Sequence, residues 1–212
     1  MRSGWGAPDT SPTRLLLLRH GQTPLSVERR FAGRGDIPLT AQGRVQAEAV
    51  ARRLAARTID AVVSSPLERT LRTADFAAKA LGLPVEIEDG FVETDFGDWE
   101  GMTFAEARIH APEAVDRWVS DPEVGPPGGE SFAAVARRVC AARDALVSRH
   151  RGRTVLVVTH VTPIKVLVQQ ALTAPLSALY RMHLDTAALT EVDVYADGPM
   201  VMRSFNDTAH LA

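Results

Sequence analysis

The chain has 212 residues, 45% of them apolar and 24% charged, with a formal net charge of −2. That length fits one large domain burying roughly 70% of the surface its unfolded chain exposes, and the near-neutral charge excludes a general nucleic-acid surface, so an anion site must be a local feature. A single cysteine, Cys140, excludes an intrachain disulfide and a thiolate metal cluster, and no apolar stretch approaches the roughly 20 residues a membrane span needs.

Met1 to Thr13 carries Gly, Pro, Ser and Thr without a signal-peptide core. It reads as a flexible tail or linker, leaving 14–212 as the folded domain and the cytoplasm as the expected compartment. Arg14 to Arg19 is a short, mostly apolar run, the pattern of a strand buried on both faces, and it leads straight into His20-Gly21-Gln22-Thr23. Gln22 to Pro38 is polar and Gly-rich, a loop of a length that is usually functional. Thr40 caps a helix to about Ala56, with Ala47, Val50, Ala51 and Leu54 on one face. A second strand, Ile59 to Val63, ends in Ser64-Ser65-Pro66. Ser65 as N-cap and Pro66 at the first helical position start the next helix. Leu67, Leu71, Ala74, Ala78 and Leu81 keep its spacing, and Gly82 ends it.

Val85 to Glu88 is a third strand and Phe91 to Gly101 a loop. Phe104 to about Ser120 is a helix broken at Pro112, and Glu123 to Glu130 a further loop. From Ser131 a helix runs to about Arg149, with Phe132, Val135, Val139, Ala142 and Leu146 spaced by three and four and Cys140 as inert packing. Thr154 to Thr159 is the fourth strand, leading into His160, and Pro163 opens a helix to about Leu172. Leu189 to Val194 and Met200 to Phe205 form a closing hairpin around Asp197-Gly198. This alternation predicts an α/β fold, a three-layer αβα sandwich whose sheet is mostly parallel with an antiparallel edge strand.

Two strands end in histidine, and in open α/β sheets chemistry collects beyond the carboxyl ends of the strands. If the two are neighbours, one pocket holds His20, His160 and the guanidinium of Arg19, a place for a phosphate. Two further elements agree with that reading: Ser64-Ser65-Pro66-Leu67-Glu68-Arg69, and Glu93-Thr94-Asp95-Phe96-Gly97-Asp98-Trp99-Glu100-Gly101. With Asp36-Ile37-Pro38-Leu39-Thr40 and Gly128-Gly129-Glu130-Ser131, the set resembles the histidine phosphatase superfamily from Arg14 to about Phe205. That family includes phosphoglycerate mutases, acid phosphatases and α-ribazole phosphatases. The run Thr159-His160-Val161-Thr162-Pro163 is most similar to acid phosphatase or α-ribazole phosphatase-like domains fused behind a type I ribonuclease H in some bacteria.

The resemblance implies a phosphoglycerate mutase-like fold and an acid phosphatase-like phosphomonoesterase, free of metal and cofactor, acting on a small phosphorylated metabolite through phosphohistidine. It makes His20 the nucleophile, attacking phosphorus in line. Arg19, Arg69 and His160 become the donors around the phosphoryl oxygens, where fixed positive charge carries most of the catalysis. Arg69, in the first turn of its helix, adds the positive end of the helix dipole, and the neighbouring arginine charge favours a neutral His20. Glu93, just before the Phe-Gly-x-Trp-Glu-Gly run, becomes the general acid that protonates the leaving oxygen and then activates water. Gln22, Thr23, Ser26, Val161 and Thr162 are the expected substrate-binding residues. Leu25-Ser26 stands where many relatives carry Trp-Asn, and Val161-Thr162-Pro163 where many carry glycines.

Arg34 and Arg72 are candidates for substrate contact or for exposed ion pairs. His110, His150, His183 and His210 are expected at the surface, and Trp5, Trp99 and Trp118 in the tail, in loop packing and in helix packing. A phosphoglycerate mutase is the alternative within the same chemistry. The short stretch from Glu93 to His160, with no basic cluster for a second phosphate, weighs against it. A phosphate-sensing binding module without turnover is the alternative outside enzymology, and the retention of every catalytic residue type weighs against that. No membrane partner is expected, nucleic acid only through a fused or paired ribonuclease H domain, and a homodimer is left open.

Overall fold

The computed structural model describes residues 11–212. Its six-stranded sheet has the order β3-β2-β4-β1-β5-β6. Strands β1 (Thr13–Arg19), β2 (Ala61–Ser64), β3 (Val85–Ile87) and β4 (Thr154–Thr159) run parallel, while β5 (Leu189–Val194) and β6 (Met200–Asp207) pair antiparallel at one edge. The apolar runs Leu15–Leu18 and Val155–Val158 are wholly buried, as parallel strands covered on both faces must be.

Side chains alternate across the strands into two separate cores. Leu15, Leu17, Val155 and Val157 pack with α5 (Pro112–Ser120), α6 (Phe132–Arg149) and α7 (Val161–Ala171). Leu16, Leu18, Leu156 and Val158 pack with α2 (Ala41–Leu54) and α3 (Glu68–Leu81). The result is the expected αβα sandwich with an antiparallel edge. The helix broken at Pro112 is α4 (Phe104–His110) followed by α5.

Several local expectations change. Thr13, assigned to the tail, is buried and opens β1 opposite Val194. Residues 1–10 of that tail, with Trp5, lie outside the described residues. The Gln22–Pro38 loop contains a short helix, α1 (Pro24–Val27), closed by a reciprocal capping box between Thr23 and Ser26. Helix α3 starts at Glu68, not Pro66, and its first amide donates to Asp36 Oδ1 at 2.8 Å, so Ser65 is not its cap. Helix α7 starts at Val161, two residues before Pro163. His150 is buried at the end of α6, 3.6 Å from Glu86, and His210 is half-buried, donating from Nε2 to the Ala187 carbonyl at 2.9 Å. His110 and His183 are exposed as expected, and Cys140 is half-buried. Among the described residues no helix is long and apolar enough to cross a membrane.

The loop leaving β1 lies backbone-on-backbone against α2. A Cβ on Gly43 would stand 2.1 Å from the Gln22 carbonyl oxygen, and one on Gly21 2.4 Å from the Gly43 oxygen. Neither carbonyl can swing aside, so Gly43→Ala must push α2 away from the residues that follow β1. Such overpacking costs about 1–3 kcal/mol. For a chain of this size that is a fall in Tm of roughly 2–12 °C, and an unchanged melting curve would show that the contact is not tight.

Candidate active site

Strands β1 and β4 are neighbours, with Leu18 opposite Val158 and Arg19 opposite Thr159, so both strands finish level. The His20 amide extends the ladder by donating to the Thr159 carbonyl at 3.0 Å. The two imidazoles that follow have ring centroids 5.3 Å apart. His20 Nδ1 lies 2.8 Å from the Gly21 carbonyl oxygen. A carbonyl only accepts, so Nδ1 carries the proton, and in the neutral ring Nε2 keeps its lone pair. Burial, and then the charges of Arg19 and Arg69, push the His20 pKa well below the ordinary imidazole value.

His160 is fully buried, its Nε2 2.7 Å from Ser65 Oγ at the end of β2. Burial, and then the fields of Arg69 and His20, lower its pKa in the same way. Arg19 donates to the Leu184 carbonyl at 2.5 Å, and burial lowers its pKa to about 10. Arg69, in the first turn of α3, is fully buried and holds the carbonyls of Gly35, Ala32 and Gly33 at 2.9, 3.1 and 2.8 Å. Neither guanidinium forms a salt bridge among the described residues. Arg19 Nε, Arg69 Nε and His160 Nδ1 are buried nitrogens with no partner among the described residues. Buried donors demand an acceptor, and two desolvated guanidinium groups beside two neutral imidazoles suit an anion.

Glu93 faces this group from the loop after β3. Its Oε1 accepts from its neighbour Thr94 N at 2.8 Å, and its Oε2 from Val161 N at 3.0 Å, with Thr162 N at 3.3 and 3.4 Å. The carboxylate thus caps α7, which explains why that helix starts before Pro163. Arg138 of α6 holds the loop by donating to the carbonyls of Gly90, Val92 and Glu93 at 3.0, 2.6 and 2.9 Å. Glu130 in turn accepts from Arg138 at 3.0 Å, from Arg34 at 2.9 Å and from the Asp95 amide at 3.1 Å. Burial is the largest influence on Glu130 and raises its pKa, yet these donors together hold it at about 2.

A cleft of about 220 Å³ opens over these groups. Of the expected residues, Arg19, His20, Thr23, Ser26, Glu93, Val161 and Thr162 line it, while Arg69 and His160 lie buried and are not among its lining residues. Gln22 is engaged elsewhere, accepting from Thr40 Oγ1 at 2.8 Å. Asp95, Asp98 and Glu100 do not line the cleft; Glu100 instead holds the Gly33 amide at 2.9 Å. Arg34 and Arg72 form ion pairs with Glu130 and Asp75. Trp99 and Trp118 both pack in one aromatic cluster with Phe31, and Trp118 also walls the cleft. Among the described residues no group of three or more His, Cys, Asp or Glu is placed to hold a metal ion.

Three functional neighbours escaped the sequence reading. Ser65 was visible by the same strand-end logic that singles out His20. Arg138 and Lys165 each interrupt a helix face of apolar residues, Lys165 as the only charge in α7, which is the signal that each charge has work inside.

Comparison with known proteins agrees with this geometry. Residues 15–208 match the family model described as histidine phosphatase superfamily (branch 1). A bifunctional protein of Mycobacterium tuberculosis strain H37Rv is 53% identical over 209 residues, 98% of this chain and 57% of that protein. The chain therefore spans little more than half the length of that curated relative. Phosphoserine phosphatase 1 of Hydrogenobacter thermophilus is 34% identical, covering 93% of this chain and 94% of its own. The structure of mycobacterial glucosyl-3-phosphoglycerate phosphatase with VO3 superposes with a TM-score of 0.85 at 32% identity, over 92% of this chain and 100% of that one.

Because burial and arginine charge both disfavour imidazolium, His20 and His160 stay neutral as the pH falls from 8 through 6.5. Nitrogen-15 NMR of labelled histidine is expected to show both rings unmoved over that range. Protonation of either site ring near pH 6.5 contradicts the electrostatics described.

Proposed function

The chain belongs to the histidine phosphatase superfamily, and from that premise we propose that it is a metal-independent phosphomonoesterase hydrolysing small phosphate monoesters through a phosphohistidine at His20. The observation that carries this reading is the neutral, oriented imidazole. Its Nδ1 proton is committed to a backbone carbonyl, which leaves Nε2 as the nucleophilic atom of the cleft.

In the proposed cycle Nε2 attacks phosphorus in line as the ester P–O bond breaks. Glu93 gives its proton to the leaving oxygen. The donors of Arg19, Arg69 and His160 take up the charge on the remaining phosphoryl oxygens, being already in place before the reaction. In the second half, the Glu93 carboxylate accepts a proton from water as the water oxygen attacks phosphorus, releasing phosphate and restoring neutral His20. The Val161 and Thr162 amides hold the carboxylate for both proton transfers. The two arginines supply the positive charge that metal ions supply in other phosphatases.

Phosphoserine phosphatase and glucosyl-3-phosphoglycerate phosphatase among the relatives support hydrolysis, beside a probable phosphoglycerate mutase of Yersinia enterocolitica at 33% identity. They also support a small phosphorylated molecule as substrate. The mycobacterial relative is called bifunctional and extends well beyond the matched residues. That supports the further reading that this unit works beside a second one, for which the Thr159–Pro163 run suggests the ribonuclease H type.

Two experiments test the proposal. Turnover is expected to survive exhaustive chelation; loss with chelator, restored by a divalent cation, contradicts the charge inventory. Glu93→Gln keeps the size of the side chain but donates no proton to the leaving oxygen, and general acid catalysis is worth roughly 10²–10⁴-fold. The pre-steady-state burst with an activated aryl phosphate should persist in the variant while that with an alkyl phosphate collapses. Equal losses for both would remove Glu93 from the role of acid.

A further inference from the structure

Trp118, Phe132, Thr162 and Lys165 line the cleft over His20 and also a second, adjoining cleft of about 470 Å³. The walls of this annex are largely apolar: Phe104, Val119, Leu179 and Tyr180 join the two shared rings. They are built stiffly. Tyr180 stands edge-on to Trp118 with centroids 5.8 Å apart, and its hydroxyl donates to the Trp118 carbonyl. Phe104 and Val119, two of the seven exposed large apolar side chains among the described residues, both lie on this annex.

Lys165 stands where the two clefts join. It is the only charge in α7 and one of two lysines in an arginine-rich chain. Its Nζ donates to the Leu179 carbonyl at 3.1 Å, and among the described residues it has no other hydrogen-bond partner and no salt bridge. An ammonium has three donors, so two remain for a ligand. Lys165 follows Val161 by one helical turn and so shares its face. The Val161 amide holds Glu93, and Glu93 and Lys165 line the same cleft. If Glu93 protonates the leaving oxygen, Lys165 lies beside the atoms attached to that oxygen.

We propose that Lys165 recognises a carboxylate on the leaving group and that the apolar annex takes the rest of it, so that the substrate is a phosphomonoester of a hydroxy acid with an apolar body. This rests on the phosphatase reading and adds the leaving-group class. A partly buried ammonium with two donors free matches a carboxylate. Arg181, the other charged residue of the annex, is exposed to solvent. Lys165 thereby acts as a specificity residue, meeting the part of the substrate that departs.

Three ligands separate the contributions: O-phospho-3-phenyllactate, its carboxamide, which removes the charge, and O-phospholactate, which removes the ring. A charge-assisted hydrogen bond in a half-buried site is expected to favour the phenyllactate over its amide by about 10–100-fold in kcat/KM. Burial of the ring should favour it over O-phospholactate by about 10-fold or more. In Lys165→Met the first preference should fall toward one, chiefly through KM, while the second persists; Lys165→Arg should retain part of the first. An acid-to-amide ratio near one in the unaltered protein overturns the proposal. So does a ratio that survives Lys165→Met, or an equal loss on all three ligands, which would put the ammonium on the phosphoryl group. A preference for O-phospholactate overturns the annex. Phenyl phosphate serves as a control: if it is not turned over, the phosphatase reading fails. Calorimetric Kd values on His20→Ala then read the same ratios by binding alone, with the same outcomes supporting or overturning the proposal.

Discussion

The site depends on the pairing of β1 with β4. Parallel strands in this register end level, Arg19 opposite Thr159, and the residue after each end is a histidine. A slip of one residue would send every side chain of one strand to the wrong face and exchange the two cores. The wholly buried leucines and valines of both strands therefore fix the imidazoles as firmly as any contact the imidazoles make themselves. Neighbouring strand β2 ends beside them, which is how Ser65 reaches His160.

Around that frame the chain assembles positive charge out of water, which is costly unless each cation finds oxygen acceptors. The acceptors here are mostly backbone carbonyls: Gly35, Ala32 and Gly33 for Arg69, and Leu184 for Arg19. Neutral carbonyls satisfy N–H groups without cancelling the charge, so the field remains available to a ligand. Arg138, by contrast, is neutralised. Arg138 pairs with Glu130, and that pair holds the backbone of the Glu93 loop rather than a substrate. The Gly-Gly-Glu-Ser motif is thus a fastening for the loop. Close backbone packing helps there too, because Gly97 adopts a positive φ of 52° and a Cβ on it would lie 2.2 Å from the Pro127 carbonyl oxygen.

Much of this was legible in the sequence because apolar runs, strand ends and helix spacing are local signals. The strands, the long helices, the break at Pro112 and the meeting of His20 with His160 all follow from them. What escaped was settled by partners distant in the chain. Ser65 reads as a cap for α3 until Asp36 takes that place and leaves its hydroxyl to His160. Pro163 reads as the start of α7 until Glu93 caps the helix at Val161. His150 reads as a surface residue because it stands at no strand end, yet it is buried beside Glu86 of β3. Lys165 carried a weak signal, a lone charge in an uncharged helix, whose meaning needs the cleft to be seen.

The central claim is that His20 Nε2 forms a bond to phosphorus. Rapid mixing with a radiolabelled phosphomonoester, a quench that preserves acid-labile adducts, and mapping of the label by mass spectrometry measure it directly. The account predicts an acid-labile, base-stable phosphoryl group on His20, formed and lost at rates compatible with turnover. Label on His160 or on any other residue, or turnover with no covalent species at all, would contradict it.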